Sequence, residues 1–418
     1  MEARGDYKCG QKQCEGEYRR RFLTLKQKVL ERLDCSEAIE DERVYEWIDE
    51  VIIGYAQESY LSLEERFRLR RELFNSLRKL DVLQELVDCP GVTEIMINGP
   101  ESIFIEENGQ LRKWDRQFES EEKLGDVVQQ IVGRTNRMVN ESNPIVDTRL
   151  ENGSRVNVVL PPVALNGPIV TIRRFPEHAL EMEDLIRLGS IDEGTADFLR
   201  MLIRAKYNIF ISGGTGSGKT TFLNVLSNYI PQDERIITIE DSAELQIRNI
   251  PNLVRLETRN ANSEGQNAVT IRDLIRSALR MRPDRIVVGE VRGGEALDMM
   301  TCFNSGHDGS LSTGHANSSR DMLLRLEMMI LMGMELPLPA VRRQIASGLD
   351  LIIHLGRLRD KSRKVLEIVE ILDYKDGEIM THPLYQFEEE GEISGRIIGG
   401  LRKCGELMHT DKLIQQGG

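Results

Sequence analysis

Gly213-Gly214-Thr215-Gly216-Ser217-Gly218-Lys219-Thr220, followed by Thr221, decides the reading of this chain. The octet matches GxxxxGK[ST] in full and follows an apolar run, Ile209-Phe210-Ile211, that reads as a buried strand. A loop of this kind wraps phosphates so closely that its backbone N–H groups point at their oxygens, which requires positive φ angles and no Cβ in the way. Lys219 adds a mobile positive charge for the β- and γ-phosphates, and the Thr220 hydroxyl can ligate Mg²⁺. Phe222, Leu223, Val225 and Leu226 continue at helical spacing, which sets the phosphates at a helix N-terminus. ATP with Mg²⁺ is the expected ligand. A chance glycine-rich turn would not bring strand, loop, lysine, hydroxyl and helix together in this order.

The remainder of the 418 residues allows two or three domains, and a 40 % hydrophobic content is that of a soluble globular chain. A formal net charge of -13 argues against tracking a nucleic-acid backbone, which calls for basic excess. No apolar run approaches the roughly 18 residues that span a bilayer, and the charged N-terminus has no apolar signal-peptide core. The expectation is a cytoplasmic protein that meets the membrane only through partners. The 6 cysteines, Cys9, Cys14, Cys35, Cys89, Cys302 and Cys404, form no CxxC pair, so neither a zinc site nor a disulfide framework is indicated.

Along the chain, residues 1–88 read as a helical N-terminal extension, with Phe22, Leu25, Val29 and Leu33 on one stripe. Pro90-Gly91 ends that pattern. Residues 89–178 read as a small α+β domain: alternation over Thr93 to Pro100, a hairpin signal at Glu107-Asn108-Gly109, a helix capped at Ser120 that turns Leu124, Val127, Val128 and Ile131 inward, and strands at Arg155 to Leu160 and Ile169 to Phe175. A linker is expected over 179–190 and the P-loop domain over 191–418, with a mobile tail after Gly400.

Three further clusters in that domain carry chemistry. Glu240-Asp241-Ser242-Ala243-Glu244 follows a β-branched run, and acidic residues there can orient an attacking water or hold a metal through its water shell; a solvated acidic loop is the competing reading. Arg285-Ile286-Val287-Val288-Gly289-Glu290 is an apolar strand ending in a carboxylate, so Glu290 is the Walker B candidate near Mg²⁺. In Ser312-Thr313-Gly314-His315-Ala316-Asn317, His315 is placed to sense a γ-phosphate, although a lone histidine is more often structural.

In this order the clusters resemble the secretion and pilus-assembly ATPases of the type II/type IV secretion superfamily. Ile239 to Leu245 is similar to the family's Asp box, Val287 to Arg292 to its Walker B segment and Gly309 to Ser318 to its His box. The resemblance extends through Arg149 to Asn157, Val170 to Phe175 and Leu351 to Leu358, roughly four fifths of the chain. It looks most like the CpaF-type Tad/Flp pilus branch, on its helical extension and Ser362-Arg363-Lys364-Val365; the tetracysteine zinc motif of many type II members is absent.

The resemblance implies a RecA-like P-loop domain preceded by a small PAS-like α+β domain, assembled as a homohexamer that moves an inner-membrane platform protein. It implies ATP bound between the two domains, with Arg155 and Arg173 contacting phosphate and Arg149 and Arg174 as neighbours able to substitute. It leaves open whether Glu290 or Glu244 activates water. A conjugative type IV traffic ATPase is the alternative within the family. A RecA-type nucleic-acid motor is disfavoured by the acidic balance and 5 % aromatic content.

Overall fold

The computed structural model of the chain describes residues 3–32, 39–107, 109–135, 137–174, 180–259 and 266–415. Leu33, Cys35, Asn108, Phe175 and part of the expected linker lie outside the described residues, as do the side chains of Cys9 and Cys14. The chain divides into two compact units, Met1–Glu177 and His178–Gly418.

In the first unit, helices α1 (Ala3–Leu30), α2 (Asp41–Glu58) and α3 (Leu63–Arg78) pack about Leu25, Val29, Val44, Ile48, Leu69 and Phe74. Val44, Ile48, Val51 and Ile52 recur at the spacing that lines one face of a helix, and all are buried. Ser62 and Glu65 form a reciprocal capping box that fixes the start of α3. After α4 (Leu83–Asp88) the chain builds a six-stranded antiparallel sheet in the order β3-β2-β1-β6-β5-β4, from β1 (Val92–Asn98), β2 (Ile103–Glu107), β3 (Gln110–Lys113), β4 (Ile145–Arg149), β5 (Arg155–Val159) and β6 (Ile169–Arg173). Helix α5 (Glu121–Gly133) starts at Ser120, whose side chain accepts from the Lys123 N–H, and buries Leu124, Val127, Val128 and Ile131 as the periodicity requires. The hairpin between β2 and β3 also forms as expected. Helical and α+β parts are tied together by Lys26 to Glu119 at 2.8 Å and by Arg116 to Glu72 and Glu85 at 2.8 and 3.0 Å.

The second unit opens with α6 (Met182–Arg187) and α7 (Glu193–Arg204). Most of the expected linker is therefore not a free connection: Met182 and Leu185 of α6 are buried in the core of this unit. Its nine-stranded sheet runs β15-β14-β13-β12-β7-β11-β10-β8-β9. The strands β7 (Ile209–Gly213), β8 (Ile236–Glu240), β9 (Leu253–Glu257), β10 (Arg285–Val288), β11 (Leu311–Gly314) and β12 (Leu351–Arg357) pair with one another in parallel, and β13 (Arg363–Lys375), β14 (Glu378–Ile393) and β15 (Arg396–Lys403) continue from β12 as an antiparallel meander. Helices α8 (Lys219–Ser227), α9 (Ile271–Ala278), α10 (Glu295–Phe303), α11 (Ser319–Gly333) and α12 (Leu338–Gly348) accompany the sheet, and two clusters of buried apolar side chains form its core. Strands this apolar, with β7, β8, β10 and β11 buried at every position, are what a parallel sheet covered on both faces demands.

The tail after Gly400 is not loose, contrary to the sequence expectation. β15 pairs with β14 to Lys403, and a short helix α13 (Asp411–Gln415) follows. Lys412 reaches Asp350 at 2.6 Å, the Met408 and His409 N–H groups donate to the buried Glu370 carboxylate, and the Tyr207 hydroxyl donates to the His409 carbonyl. These are long-range polar ties, which composition alone does not disclose.

Candidate active site

In an open parallel sheet, ligands collect at the carboxyl ends of the strands. Here β7 ends at Gly213, β8 at Glu240, β10 one residue before Gly289-Glu290 and β11 at Gly314, so every chemical cluster of this unit arrives at one edge. The loop after β7 shows why glycine is needed. A Cβ on Gly213 would lie 2.5 Å from the Leu355 carbonyl oxygen, and Gly216 and Gly218 have φ of +71° and +96°. Gly218 caps α8, with Lys219, Thr220 and Thr221 in its first turn.

Lys219, Glu290 and His315 meet. Nζ of Lys219 donates to the Gly214 carbonyl at 3.0 Å and lies 3.1 Å from Nδ1 of His315. Nε2 of His315 is 2.8 Å from Oε1 of Glu290, and the other carboxylate oxygen takes a 2.7 Å hydrogen bond from Arg292. Burial pulls the Lys219 ammonium below its ordinary value, and the Glu290 carboxylate opposes that shift. Burial and then the Lys219 charge lower His315 as well, which favours a neutral ring accepting at Nδ1 from the lysine.

Glu244 does not join this chain of contacts; its backbone N–H, with that of Leu245, donates to Oε2 of Glu240 at 2.7 and 2.8 Å. Glu240, singled out only as a member of its cluster, is the buried carboxyl of the loop, 3 % exposed, and burial pushes its pKa up to about 7 against those two hydrogen bonds. Its Oε1 is buried without a hydrogen-bond donor. A Cβ on Gly289 would stand 3.0 Å from the Glu240 side chain, so the glycine before Glu290 makes room for it. An orphaned carboxylate oxygen next to Gly289-Glu290 is an acceptor for water or for the water shell of a cation.

The two arginines expected at phosphate lie in the first unit. Arg155 on β5 is the register partner of Arg173 on β6, Arg149 on β4 is opposite Arg155, and Glu94 on β1 is opposite Arg173. Arg155 has Asp147 at 3.8 Å and Arg173 is exposed. The Arg174 guanidinium donates to the carbonyls of Cys89 and Val92 and is thereby turned to the backbone.

The model of the type II/IV secretion system protein family matches residues 77–400. The chain belongs to this family. A putative conjugal transfer protein of Mycobacterium tuberculosis is 34 % identical over 315 residues, covering 74 % of this chain and 89 % of the relative. The type IV secretion system protein VirB11 of Brucella suis is 33 % identical over 307 residues, covering 66 % of this chain and 84 % of the relative. Among solved structures, the pilus retraction motor PilT with bound ADP aligns at a TM-score of 0.51 and 22 % identity, over 73 % of this chain and 82 % of that one. The ATPase DotB of Legionella pneumophila aligns at 0.51 and 21 %, over 71 % and 80 %. The fold of these secretion ATPases, a smaller N-terminal domain followed in sequence by a RecA-like one, is therefore that of this chain.

Proposed function

We propose that this secretion ATPase binds ATP with Mg²⁺ on the Gly213–Thr221 loop and hydrolyses it to power Tad/Flp-type pilus assembly or protein secretion. The observation that carries the reading is the contact chain from Lys219 of the loop through His315 to Glu290. The residues fit a cation: the Thr220 hydroxyl in the first turn of α8 and Glu290 would hold it, directly or through water, and few protein ligands suit Mg²⁺, which keeps several waters and the phosphates. When bound, the ion would neutralise negative charge on the phosphates during transfer.

Lys219 leaves His315 and Gly214 for the γ-phosphate. His315, then relieved of the lysine, reports on that phosphate through the contact it keeps with Glu290. Glu290 and Glu244 orient the attacking water, and Glu290 is the stronger candidate for receiving its proton. Arg155 and Arg173 contribute positive charge to the phosphates in the transition state.

The working form we propose is a homohexamer on the cytoplasmic face of the inner membrane, engaging a platform protein of the pilus or secretion machine. Among the described residues no helix is long and apolar enough to cross a membrane, in keeping with contact through partners. Conjugal transfer is the second reading, favoured by relatives that carry that name. A deletion strain separates them: loss of surface pili with normal DNA transfer supports the first, and the reverse supports the second. Phosphate release by the purified protein, unaffected by added DNA, excludes a nucleic-acid motor.

A further inference from the structure

The Gly213–Thr221 loop is bonded by a residue 147 positions beyond Gly216 in the chain. Arg363, the first residue of β13, donates from Nε to the Gly216 carbonyl at 2.8 Å, and its Cδ would be 3.5 Å from a Cβ on Gly218. The arginine is itself well anchored. In the turn between β12 and β13, Asp360 accepts from the Ser362 N–H and hydroxyl at 2.9 and 2.6 Å with one oxygen, and from the Ile397 N–H of β15 at 2.9 Å with the other. On the far side the Ser190 hydroxyl donates to the Arg363 carbonyl at 2.7 Å, and Lys364 donates to the Gly189 carbonyl at 2.8 Å. Beyond Gly216, the Arg363 guanidinium makes no other side-chain hydrogen bond or ion pair among the described residues.

An anion nest works only while its N–H groups face the ligand and its carbonyls face away. A carbonyl that turns inward replaces a donor with a repelling oxygen, and in a glycine-rich loop the peptide is free to turn. A guanidinium stays charged at every working pH, and a hydrogen bond from a charged donor is among the stronger kinds. We propose that Arg363 is a positioning residue for nucleotide binding: it holds the Gly216 carbonyl off the phosphates and ties the shape of the P-loop to the C-terminal β-meander. The inference rests on the reading of the Gly213–Thr221 loop as the nucleotide site.

The test compares wild type, Arg363→Ala and Arg363→Lys as full-length chains, measuring dissociation constants for ADP and for ATP by displacement of a fluorescent analogue, with kcat and KM from phosphate release. Arg363→Ala is expected to weaken ADP and ATP alike by about ten-fold, the loss of one charge-assisted hydrogen bond that shapes the site for both. KM rises while kcat at saturation stays within about two-fold of wild type, because the contact is made equally in ground and transition states. Arg363→Lys recovers most of the affinity, since an ammonium also donates to the carbonyl. Melting without nucleotide is unchanged, as the side chain is exposed. Should Arg363→Ala not fold, Arg363→Met keeps the stem without a donor and makes the same comparison. Unchanged affinity, or a fall in kcat with KM constant, overturns the role of Arg363 while leaving the nucleotide site in place. A wild-type chain that binds neither nucleotide overturns the site and the inference together.

Discussion

Arg155 and Arg173 stand directly opposite each other on neighbouring antiparallel strands, with Arg149 next in the same row. Like charges opposite one another in a sheet repel; Glu94 stands opposite Arg173 and Asp147 lies 3.8 Å from Arg155. This row of guanidinium groups is the observation behind the proposed phosphate role of both residues.

Arg173→Ala, and to a similar degree Arg155→Ala, should lower kcat by about ten-fold or more, as expected for a charge-assisted contact formed in the transition state. Melting temperature without nucleotide should hold or rise slightly, because repulsion within the row is relieved. Normal turnover in both variants would remove these residues from the site.

Glu290→Gln should retain ATP binding and lose hydrolysis in single-turnover assays, since the amide fills the same space but cannot take up a proton. Glu244→Gln tests the division of labour. Its side chain stands outside the Lys219–His315–Glu290 chain of contacts, so its effect should be the smaller of the two. Equal, wild-type rates in both would refute the carboxylate roles.

Glu240 gives a pH dependence of defined sign. Its carboxyl titrates near 4.5 when free and near 7 when folded, so between those values the folded chain holds a proton that the unfolded chain has released. The stability it contributes is therefore fully present below pH 4.5 and is lost as the pH rises through 7. Glu240→Gln removes that dependence: the melting temperature of wild type minus that of the variant should fall between pH 4.5 and 7 and be flat above. A difference that rises with pH would contradict the burial argument.

Much of this was legible in the sequence because it rests on local patterns. The P-loop, the strands ending in carboxylates and the capped helix after Ser120 are short-range devices, and the structure brings Lys219, Glu290 and His315 together as the motif order suggested. What was not legible depends on distant partners. Arg363 meets Gly216 across 147 positions and Lys412 meets Asp350 across 62, so neither the clamp on the loop nor the pinned tail has a local signal. Glu240 could have been singled out, since it ends an apolar strand just as Glu290 nearly does, but burial decides which acid of that cluster is enclosed.

Arg285 illustrates a buried charge that is structural. It is fully buried at the start of β10, bonds Glu234 at 2.5 and 2.9 Å and donates to the Ile203 carbonyl at 2.6 Å. Arg285→Met should cost about 3–5 kcal/mol in urea unfolding, because Glu234 is left charged and largely unpaired, and Glu234→Met in the same chain should recover much of it. A loss below about 1 kcal/mol would mean that the pair is solvated in solution.

The most direct test of the account is steady-state phosphate release from ATP by the purified wild-type chain and by Lys219→Ala, each with its melting curve. Wild type is expected to show Mg²⁺-dependent release and Lys219→Ala background release, with melting still cooperative without nucleotide, because the lysine serves the γ-phosphate and, among the described residues, its side-chain hydrogen bonds are confined to Gly214 and His315. Release by Lys219→Ala at the wild-type rate would contradict the account, since hydrolysis would then take place elsewhere than on the Gly213–Thr221 loop.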